Sequence, residues 1–296
     1  MNKKTVFTGV ATALITPFDE SGVNYEQFER IIEWQIASGI NALVACGTTG
    51  ESSTMTDDEH REVIAFAAKV INGRVPLIAG TGSNDTSYAL DLIKCACDAG
   101  ADAMLVVTPY YNKATQKGLY KMFTQLADAS EKPIILYNVP SRTGVNIEPA
   151  TYEALAEHEN IVAIKEANGN ISKIVETAAR CRGKLDLYSG NDDQIVPIMS
   201  LGGKGVISVL SNILPAETVA ICDSFFAGNI ERAAQLQCRY QPLISALFSE
   251  VNPIPVKAAM ARMGWCENRL RMPLTPMDEA LEARMVELMR AEGLDV

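Results

Sequence analysis

The chain has 296 residues, of which 48% are hydrophobic and 21% are charged, as in a globular protein with a substantial core. Its net charge of -10 and isoelectric point near 4.9 argue against general binding to nucleic-acid phosphates or to an anionic membrane surface. The seven cysteines are scattered, with no Cys-x-x-Cys pair and no nearby histidines, so we expect buried, reduced thiols in a cytoplasmic protein and no metal site.

The first twenty residues predict a strand rather than a signal peptide. Two lysines precede an apolar run, but Thr8, Gly9, Thr12 and Thr16 interrupt that run and no convincing cleavage site follows it. No other segment is long enough and apolar enough to span a bilayer.

Short apolar runs then alternate with longer amphipathic stretches. The predicted strands are TGVATALIT, NALVACG, VPLIAGTG, DAMLVVTP, PIILYN, IVAIKE, LDLYSG and GVISVL. The clearest predicted helices between them cover residues 25–38, 57–71, 86–99, 117–129 and 171–181. Thr56 and Glu59 have the spacing of a capping box, and Asn24 with Gln27 is a weaker example.

Near-continuous apolar strands that alternate with helices indicate a parallel sheet covered on both faces. Eight such units in residues 1–228 predict an α/β fold, the (β/α)8 TIM barrel. An open doubly wound sheet is the alternative, but its glycine-rich first turn is missing. Residues 229–296 predict three helices, so we expect a C-terminal helical appendage after the barrel.

Polar residues are concentrated where the predicted strands end. The segments CGTTGES, TPYYN, YNVPSRTG, KEANG and SGNDD all begin at or just after a strand end. In a TIM barrel these ends meet at one mouth, where active sites lie. Any one of the glycines, asparagines or prolines could be an ordinary turn former, but their concentration at one end predicts an active site.

Lys165 is the most informative of these residues, because it directly follows the buried run Ile-Val-Ala-Ile. Desolvation in the barrel mouth would lower the pKa of its ammonium and leave a nucleophilic amine, which can form a Schiff base with a carbonyl. An exposed lysine, a phosphate-binding lysine and an ion pair with Glu166 are the alternatives. The ion pair is geometrically poor, because adjacent residues of a strand point to opposite faces.

Schiff-base chemistry requires a group that moves protons. The two histidines, His60 and His158, are predicted on helices or their flanks, whereas Tyr110, Tyr111 and Tyr137 stand close to strand ends. A tyrosine can act as acid and base when a neighbour relays its proton.

Candidate carboxylate-binding residues lie at the same end of the barrel. The turn that contains Thr48 and Thr49 could hold one carboxylate, and Arg142 could hold a second one in a bidentate manner. Together with Lys165, they predict an aldolase that acts on a keto acid. No dinucleotide, P-loop or metalloprotease motif occurs, so no cofactor is expected. A barrel that merely binds a small anion, as a sensor or scaffold, is the alternative from another class.

Several motifs together resemble those of the 4-hydroxy-tetrahydrodipicolinate synthase (dihydrodipicolinate synthase) family of pyruvate-dependent class I aldolases. They are CGTTGES, VTPYYN, LYNVPSRTG, IKEANGN, GVISV and NPIPVK, and the resemblance covers essentially the whole chain. It implies a lyase that condenses pyruvate with aspartate 4-semialdehyde in the first committed step of lysine (diaminopimelate) biosynthesis. It also implies a homotetramer built as a pair of dimers.

Sister enzymes are the alternative within this group. N-acetylneuraminate lyases are similar around GTTGE and YN but have no arginine in a matching SRTG segment, and keto-deoxy sugar acid aldolases also depart there. Arg142 therefore favours the synthase.

The resemblance also implies roles for residues of the site. Lys165 would form the imine with pyruvate, and Tyr137 would be the central acid and base. Thr48 and Tyr111 would complete the proton relay, with Tyr111 reaching across from a neighbouring subunit. The residues implied in substrate binding are Thr49 for the pyruvate carboxylate, Arg142 for the semialdehyde carboxylate, and the main chain at Gly190 and Ile207.

A pocket that binds the end product lysine occurs in lysine-inhibited members of the family. The residues that match it here are Ser52, His60, Asn84 and Tyr110. Tyr88 stands where those members carry a glutamate that meets the lysine amino group, and Asp57 stands where many have histidine. Loss of a charge-assisted hydrogen bond removes about 1.5–3 kcal/mol, so we predict weak or absent inhibition by lysine.

Overall fold

The computed structural model describes residues 3–296, and eight of its strands close into a parallel barrel. These strands are β1 (Gly9–Ala13), β2 (Ala42–Ala45), β3 (Leu77–Gly80), β4 (Ala103–Val107), β5 (Ile134–Asn138), β6 (Ile161–Glu166), β7 (Asp186–Ser189) and β8 (Gly205–Ser208). Each strand pairs with the next one in the sequence, and β1 pairs with β8 to close the barrel. The predicted TIM barrel is therefore confirmed.

Twelve helices accompany these strands in residues 3–296. They are α1 (Tyr25–Ala37), α2 (Asp57–Ile71), α3 (Thr86–Asp98), α4 (Gln116–Ala129), α5 (Pro140–Thr143), α6 (Pro149–Leu155), α7 (Ile171–Cys181), α8 (Ile195–Ser200), α9 (Pro215–Phe226), α10 (Ile230–Leu247), α11 (Ile254–Arg262) and α12 (Glu279–Ala291). The predicted helix bounds agree with α1, α2, α3, α4 and α7 to within one residue. A hairpin of two-residue strands, Phe18–Asp19 and Gly22–Val23, is too short to be evident from sequence periodicity.

The predicted helix caps are only partly confirmed. At α2 the Thr56 side chain accepts from the Glu59 N–H and the Glu59 carboxylate accepts from the Thr56 N–H, so the capping box is complete. At α1 the Asn24 side chain accepts from the Gln27 N–H at 2.9 Å. The Gln27 side chain makes no hydrogen bond back to the Asn24 N–H, so the N-terminus of α1 has a single cap rather than a capping box.

The barrel interior is lined mainly by small and branched apolar side chains. Just before β1, the Phe7 ring stacks on the Tyr188 ring of β7 with 4.2 Å between centroids, and the Tyr188 hydroxyl donates to the Phe7 carbonyl at 2.6 Å. The polar residues that follow the strand C-terminal ends surround the mouth, where the active sites of TIM barrels lie.

The region after Gly228 contains α10, α11 and α12, as predicted from the helical patterns. This region also contacts the barrel mouth, because the Lys257 ammonium of α11 bonds to the buried Glu51 carboxylate. The side chains of both residues are almost fully buried. The helical region is therefore connected to the polar residues of the mouth and not only to the barrel helices.

All seven cysteines are free, but the expectation that they are buried is wrong for three of them. Cys95 and Cys97 are half-buried, and Cys238 is exposed. Cys238 lies on α10, whose buried face carries Ala233, Leu236 and Tyr240, so its position on the helix turns it towards solvent. Within residues 3–296, no helix combines the length and the apolar character needed to cross a membrane.

Candidate active site

Lys165 and Tyr137 lie next to each other at the mouth of the barrel. They are paired in the register of β5 and β6, and both point inwards, as do Ala163 and Val139 on the same strands or just after them. The Lys165 Nζ atom lies 4.3 Å from the centroid of the Tyr137 ring. Lys165 is only 6% exposed. The structure thus brings the predicted nucleophile and the predicted acid/base together.

The environment of Lys165 favours the neutral amine. Burial lowers the pKa of Lys165 to about 7, the Asp192 carboxylate opposes this change, and the Arg142 charge adds to it. Desolvation is the largest cause, because an ammonium loses more hydration free energy on burial than an amine does. An amine with this pKa is substantially unprotonated near neutral pH.

Tyr137 is held mainly in its protonated form. Burial raises the pKa of Tyr137, while the Arg142 charge and a hydrogen bond with Thr48 partly lower it. Thr48 begins a short 3-10 turn, Thr48–Gly50, that follows β2 at the mouth. The phenol therefore has a hydroxyl neighbour that could receive or supply its proton.

The two predicted carboxylate-binding residues share one neighbour, Asn252. The Thr49 hydroxyl accepts a hydrogen bond from Asn252 Nδ2 at 3.0 Å. Arg142, in the short helix α5, donates from Nη2 to the Asn252 carbonyl oxygen at 3.0 Å. Asn252 lies just before α11, so the C-terminal region contacts both residues.

The remaining predicted site residues differ in position. Gly190 follows β7, and a Cβ atom there would lie 2.8 Å from the Ala167 Cβ, so the close approach of these two strand ends requires glycine. Ile207 is buried in β8 and contributes to the barrel interior. Tyr111 is 92% exposed on the loop after β4 and has a φ of 68°, a conformation that tyrosine rarely adopts. It does not line the cavity at the mouth of the barrel.

A cavity of about 470 Å³ lies at the mouth of the barrel. Its walls include Thr48, Tyr137 and Arg142 together with Ser52, His60 and Tyr110. Asn84 is not part of this lining, and its carbonyl accepts from Asn112 Nδ2 at 3.0 Å.

The same cavity is lined by Tyr88 and Asp57. Burial and a hydrogen bond to the Asp57 carboxylate raise the pKa of Tyr88 to about 12. The two residues that depart from the lysine-sensitive pattern therefore contact each other.

Comparison with known proteins decides the family. The profile of the Dihydrodipicolinate synthetase family matches residues 6–292. The chain belongs to this family. The predicted family resemblance is thus confirmed.

Individual relatives align with nearly the whole length of this chain. A Clostridium perfringens protein named 4-hydroxy-tetrahydrodipicolinate synthase is 51% identical over 289 residues, covering 98% of this chain and 99% of that protein. The crystal structure of dihydrodipicolinate synthase from Aquifex aeolicus superposes with a TM-score of 0.96 at 44% identity, covering 98% and 99% of the two chains. A chloride-inhibited Acinetobacter baumannii enzyme, complexed with pyruvate, has a TM-score of 0.95 at 43% identity, covering 98% and 100%.

The sequence leaves the role of Glu166 open, but the structure shows its position and its hydrogen-bond partners. It pairs with Asn138 in the register of β5 and β6, directly beyond the Tyr137–Lys165 pair, and faces the helices. Its carboxylate accepts from Asn138 Nδ2 at 3.0 Å, the Tyr152 hydroxyl at 3.0 Å and the Asn168 N–H at 2.9 Å. This arrangement agrees with the prediction that Glu166 and Lys165 point to opposite faces.

The Glu166 carboxyl is also electrostatically unusual. Burial raises the pKa of Glu166 to about 7, although the hydrogen bonds that it accepts lower it in part. Glu166 and Asn138 therefore connect the ends of the two strands that carry Lys165 and Tyr137. The charge of the Glu166 carboxyl depends on pH near neutrality.

Three further residues near the mouth are not evident from the sequence as site residues. Glu51 has a φ of 56° and its carboxylate bonds to Lys257 and to the Arg271 N–H. Asp192 is 2% exposed, and its Oδ2 accepts from two main-chain N–H groups at the end of β8. Glu51 and Lys257 do lie in the motifs CGTTGES and NPIPVK, but they are 206 positions apart, so no local pattern predicts that they pair.

Proposed function

We propose that this chain acts as a 4-hydroxy-tetrahydrodipicolinate synthase, a lyase that condenses pyruvate with aspartate 4-semialdehyde through a Schiff base on Lys165. The shared name of the close relatives supports this activity over that of a sister aldolase. The observation that carries the proposal is the buried Lys165 amine, with its pKa lowered to about 7 and its Nζ over the Tyr137 ring.

The chemistry begins with attack of the neutral Lys165 amine on the ketone carbon of pyruvate, followed by loss of water. The resulting iminium withdraws electrons from the adjacent methyl carbon, which then loses a proton and becomes an enamine. The enamine carbon forms the new bond to the aldehyde carbon of the second substrate, whose C=O π bond breaks as its oxygen takes a proton. Attack of the second substrate's own amino group on the imine carbon then releases the Lys165 amine. In this proposal Tyr137 moves the protons, and Thr48 passes them on.

Two carboxylate contacts would orient the substrates. Thr49 would donate to the pyruvate carboxylate, and Arg142 would bind the carboxylate of the semialdehyde, where its fork of N–H donors suits a bidentate contact. The main chain at Gly190 and Ile207 would line the remainder of the site. The pyruvate complex of the Acinetobacter baumannii relative supports pyruvate as the first substrate.

The proton relay would be completed between subunits. Tyr111 is exposed in the single chain and held in a strained conformation, which supports a role in which it enters the site of a neighbouring subunit. We also propose the assembly that the family resemblance implies, a homotetramer built as a pair of dimers, and a location in the cytoplasm.

Reduction with sodium borohydride in the presence of pyruvate, followed by peptide mass spectrometry, tests the proposal. We expect a reduced pyruvate adduct on Lys165. An intact Lys165 peptide would exclude the Schiff-base mechanism and leave a barrel that only binds small anions.

Competition among aspartate 4-semialdehyde, N-acetylneuraminate and 2-keto-3-deoxygluconate identifies the branch of the family. Aspartate 4-semialdehyde is expected to react, whereas the substrates of N-acetylneuraminate lyase and of keto-deoxy sugar acid aldolases are not. Arg142→Ala should weaken use of the semialdehyde by roughly 10-fold to 100-fold and leave the Lys165 adduct in place, because the lost contact is a charge-assisted hydrogen bond. If Arg142→Ala reduced formation of the Lys165 adduct as much as it reduced use of the semialdehyde, Arg142 would instead be a residue that binds pyruvate.

A further inference from the structure

Asn252 occupies a buried position between the two carboxylate-binding residues. It is 6% exposed. Its side chain contacts Thr49, whereas its main-chain carbonyl contacts Arg142, so two different parts of one residue serve the two ends of the site. Just beyond it, α11 is anchored by the buried ion pair between Lys257 and Glu51. The position of Asn252 is therefore set by the core and not by a mobile surface loop.

The chemistry of the Asn252 side chain determines what the Thr49 hydroxyl can do. The Nδ2 group of an asparagine only donates hydrogen bonds, so the Thr49 oxygen must act as the acceptor in this contact. The hydroxyl hydrogen of Thr49 is then available, because the Thr49 hydroxyl makes only this contact within residues 3–296, and Asn252 Oδ1 is buried without a partner. A hydroxyl in this state suits an anionic ligand oxygen, which only accepts.

We propose that Asn252 is a positioning residue that orients the Thr49 hydroxyl as a hydrogen-bond donor to the carboxylate of the 2-oxo acid substrate. The inference rests on the proposed function, because it takes Thr49 as the group that contacts pyruvate. The contact to Arg142 uses the main chain and remains when the side chain is changed. A substitution of the Asn252 side chain therefore affects the pyruvate end of the site and spares the semialdehyde end.

Two variants separate this role from simple packing. Asn252→Ala removes the donor and leaves a small void. Asn252→Asp keeps the shape, but an ionised carboxylate only accepts, so it accepts a hydrogen bond from the Thr49 hydroxyl and places a second negative charge beside the substrate carboxylate. A packing role makes alanine the more harmful change, whereas the proposed role makes aspartate the more harmful one.

The readout is the pyruvate concentration that gives half-maximal trapping of the Lys165 adduct, which does not involve the second substrate. We expect this concentration to rise about 2-fold to 10-fold in Asn252→Ala and roughly 10-fold to 100-fold in Asn252→Asp. The KM for aspartate 4-semialdehyde should change less than about 3-fold in either variant. Asn229→Ala is the matched control, because Asn229 also lies in the C-terminal region but only caps α10, through its contact to the Arg232 N–H.

A mutant cycle provides an independent test that general destabilisation does not mimic. In the Thr49→Val background, Asn252→Ala should have little further effect on half-maximal trapping, because the hydroxyl that it orients is gone. The inference would be overturned if the effects of Thr49→Val and Asn252→Ala on half-maximal trapping were additive. It would also be overturned if Asn252→Asp needed less pyruvate for half-maximal trapping than Asn252→Ala. Failure of the wild-type chain to form any Lys165 adduct would instead overturn the proposed function.

Discussion

The attachment of pyruvate to Lys165 is expected to accelerate as pH rises, with a midpoint near 7. The reason is the burial of Lys165, which lowers the pKa of its ammonium to about 7. The neutral amine is the nucleophile, so the reactive form is lost as pH falls below this value. An unperturbed lysine has a pKa of about 10.4 and would show no midpoint in the neutral range.

The size of the effect follows from the two pKa values. At a pH of about 8, an amine with a pKa of 7 is roughly nine-tenths neutral, whereas an ordinary lysine is about 0.4% neutral. Desolvation therefore increases the reactive fraction roughly 200-fold at this pH. This factor is an expected difference in initial trapping rate between Lys165 and an exposed lysine, before any contribution from positioning.

The assay is reductive trapping with sodium cyanoborohydride and pyruvate across the neutral pH range, with peptide mass spectrometry to quantify each lysine. Lys257 is a useful internal comparison, because burial lowers its pKa too, but its side chain is fully enclosed and its ammonium is bonded to the Glu51 carboxylate. We expect the pyruvate adduct on Lys165 and none on Lys257. A midpoint above a pH of about 9, or equally rapid modification of Lys257, would refute the reasoning from desolvation.

Thermal or urea unfolding gives a second view of the same pKa. Between the folded value near 7 and the unfolded value near 10.4, the unfolded chain binds more protons at Lys165 than the folded protein does. The wild-type chain should therefore gain stability through this group as pH rises across that interval. Lys165→Met should lose this dependence and be the more stable protein at neutral pH.

Three further outcomes are expected. Lys257→Met should lower the free energy of unfolding by about 3–5 kcal/mol, because it leaves the Glu51 carboxylate buried without its partner. Arg262→Met, which breaks a partly exposed ion pair in the same region, should cost less than about 1 kcal/mol. Glu166→Gln should remove a decline in stability with rising pH between about 4.3 and 7, because the raised pKa of Glu166 makes the folded protein bind more protons there than the unfolded chain. Free lysine should inhibit the enzyme weakly, and Tyr88→Glu should increase its potency about 10-fold or more by restoring a charge-assisted contact.

Each of these outcomes has a clear contradiction. Similar denaturant midpoints for the Lys257 and Arg262 variants would show that the buried pair contributes no more than an exposed one. A pH dependence that is unchanged in Glu166→Gln would mean that this carboxyl is ionised throughout the range. Strong inhibition of the unmodified chain in a lysine titration would show that the contact between Tyr88 and Asp57 leaves the lysine site intact.

The sequence alone determined the architecture and the place of Lys165, the proposed nucleophile. Apolar runs that alternate with amphipathic stretches are local patterns, and eight of them are enough to predict the barrel. The position of Lys165 at the end of one such run predicts that it lies at the mouth. Tyr137 ends the preceding predicted strand, and neighbouring strand ends meet in a parallel barrel, so its proximity to Lys165 also follows from chain order.

Only the tertiary structure decided which buried polar groups support these residues. The contacts of Asn252 with Thr49 and of Lys257 with Glu51 join residues more than 200 positions apart. Such contacts depend on the paths of loops between elements and on the packing of α11 against the mouth, which local periodicity does not encode. The partners of Glu166 were likewise hidden, because a strand pattern shows that its side chain faces the helices but not which groups of those helices it meets.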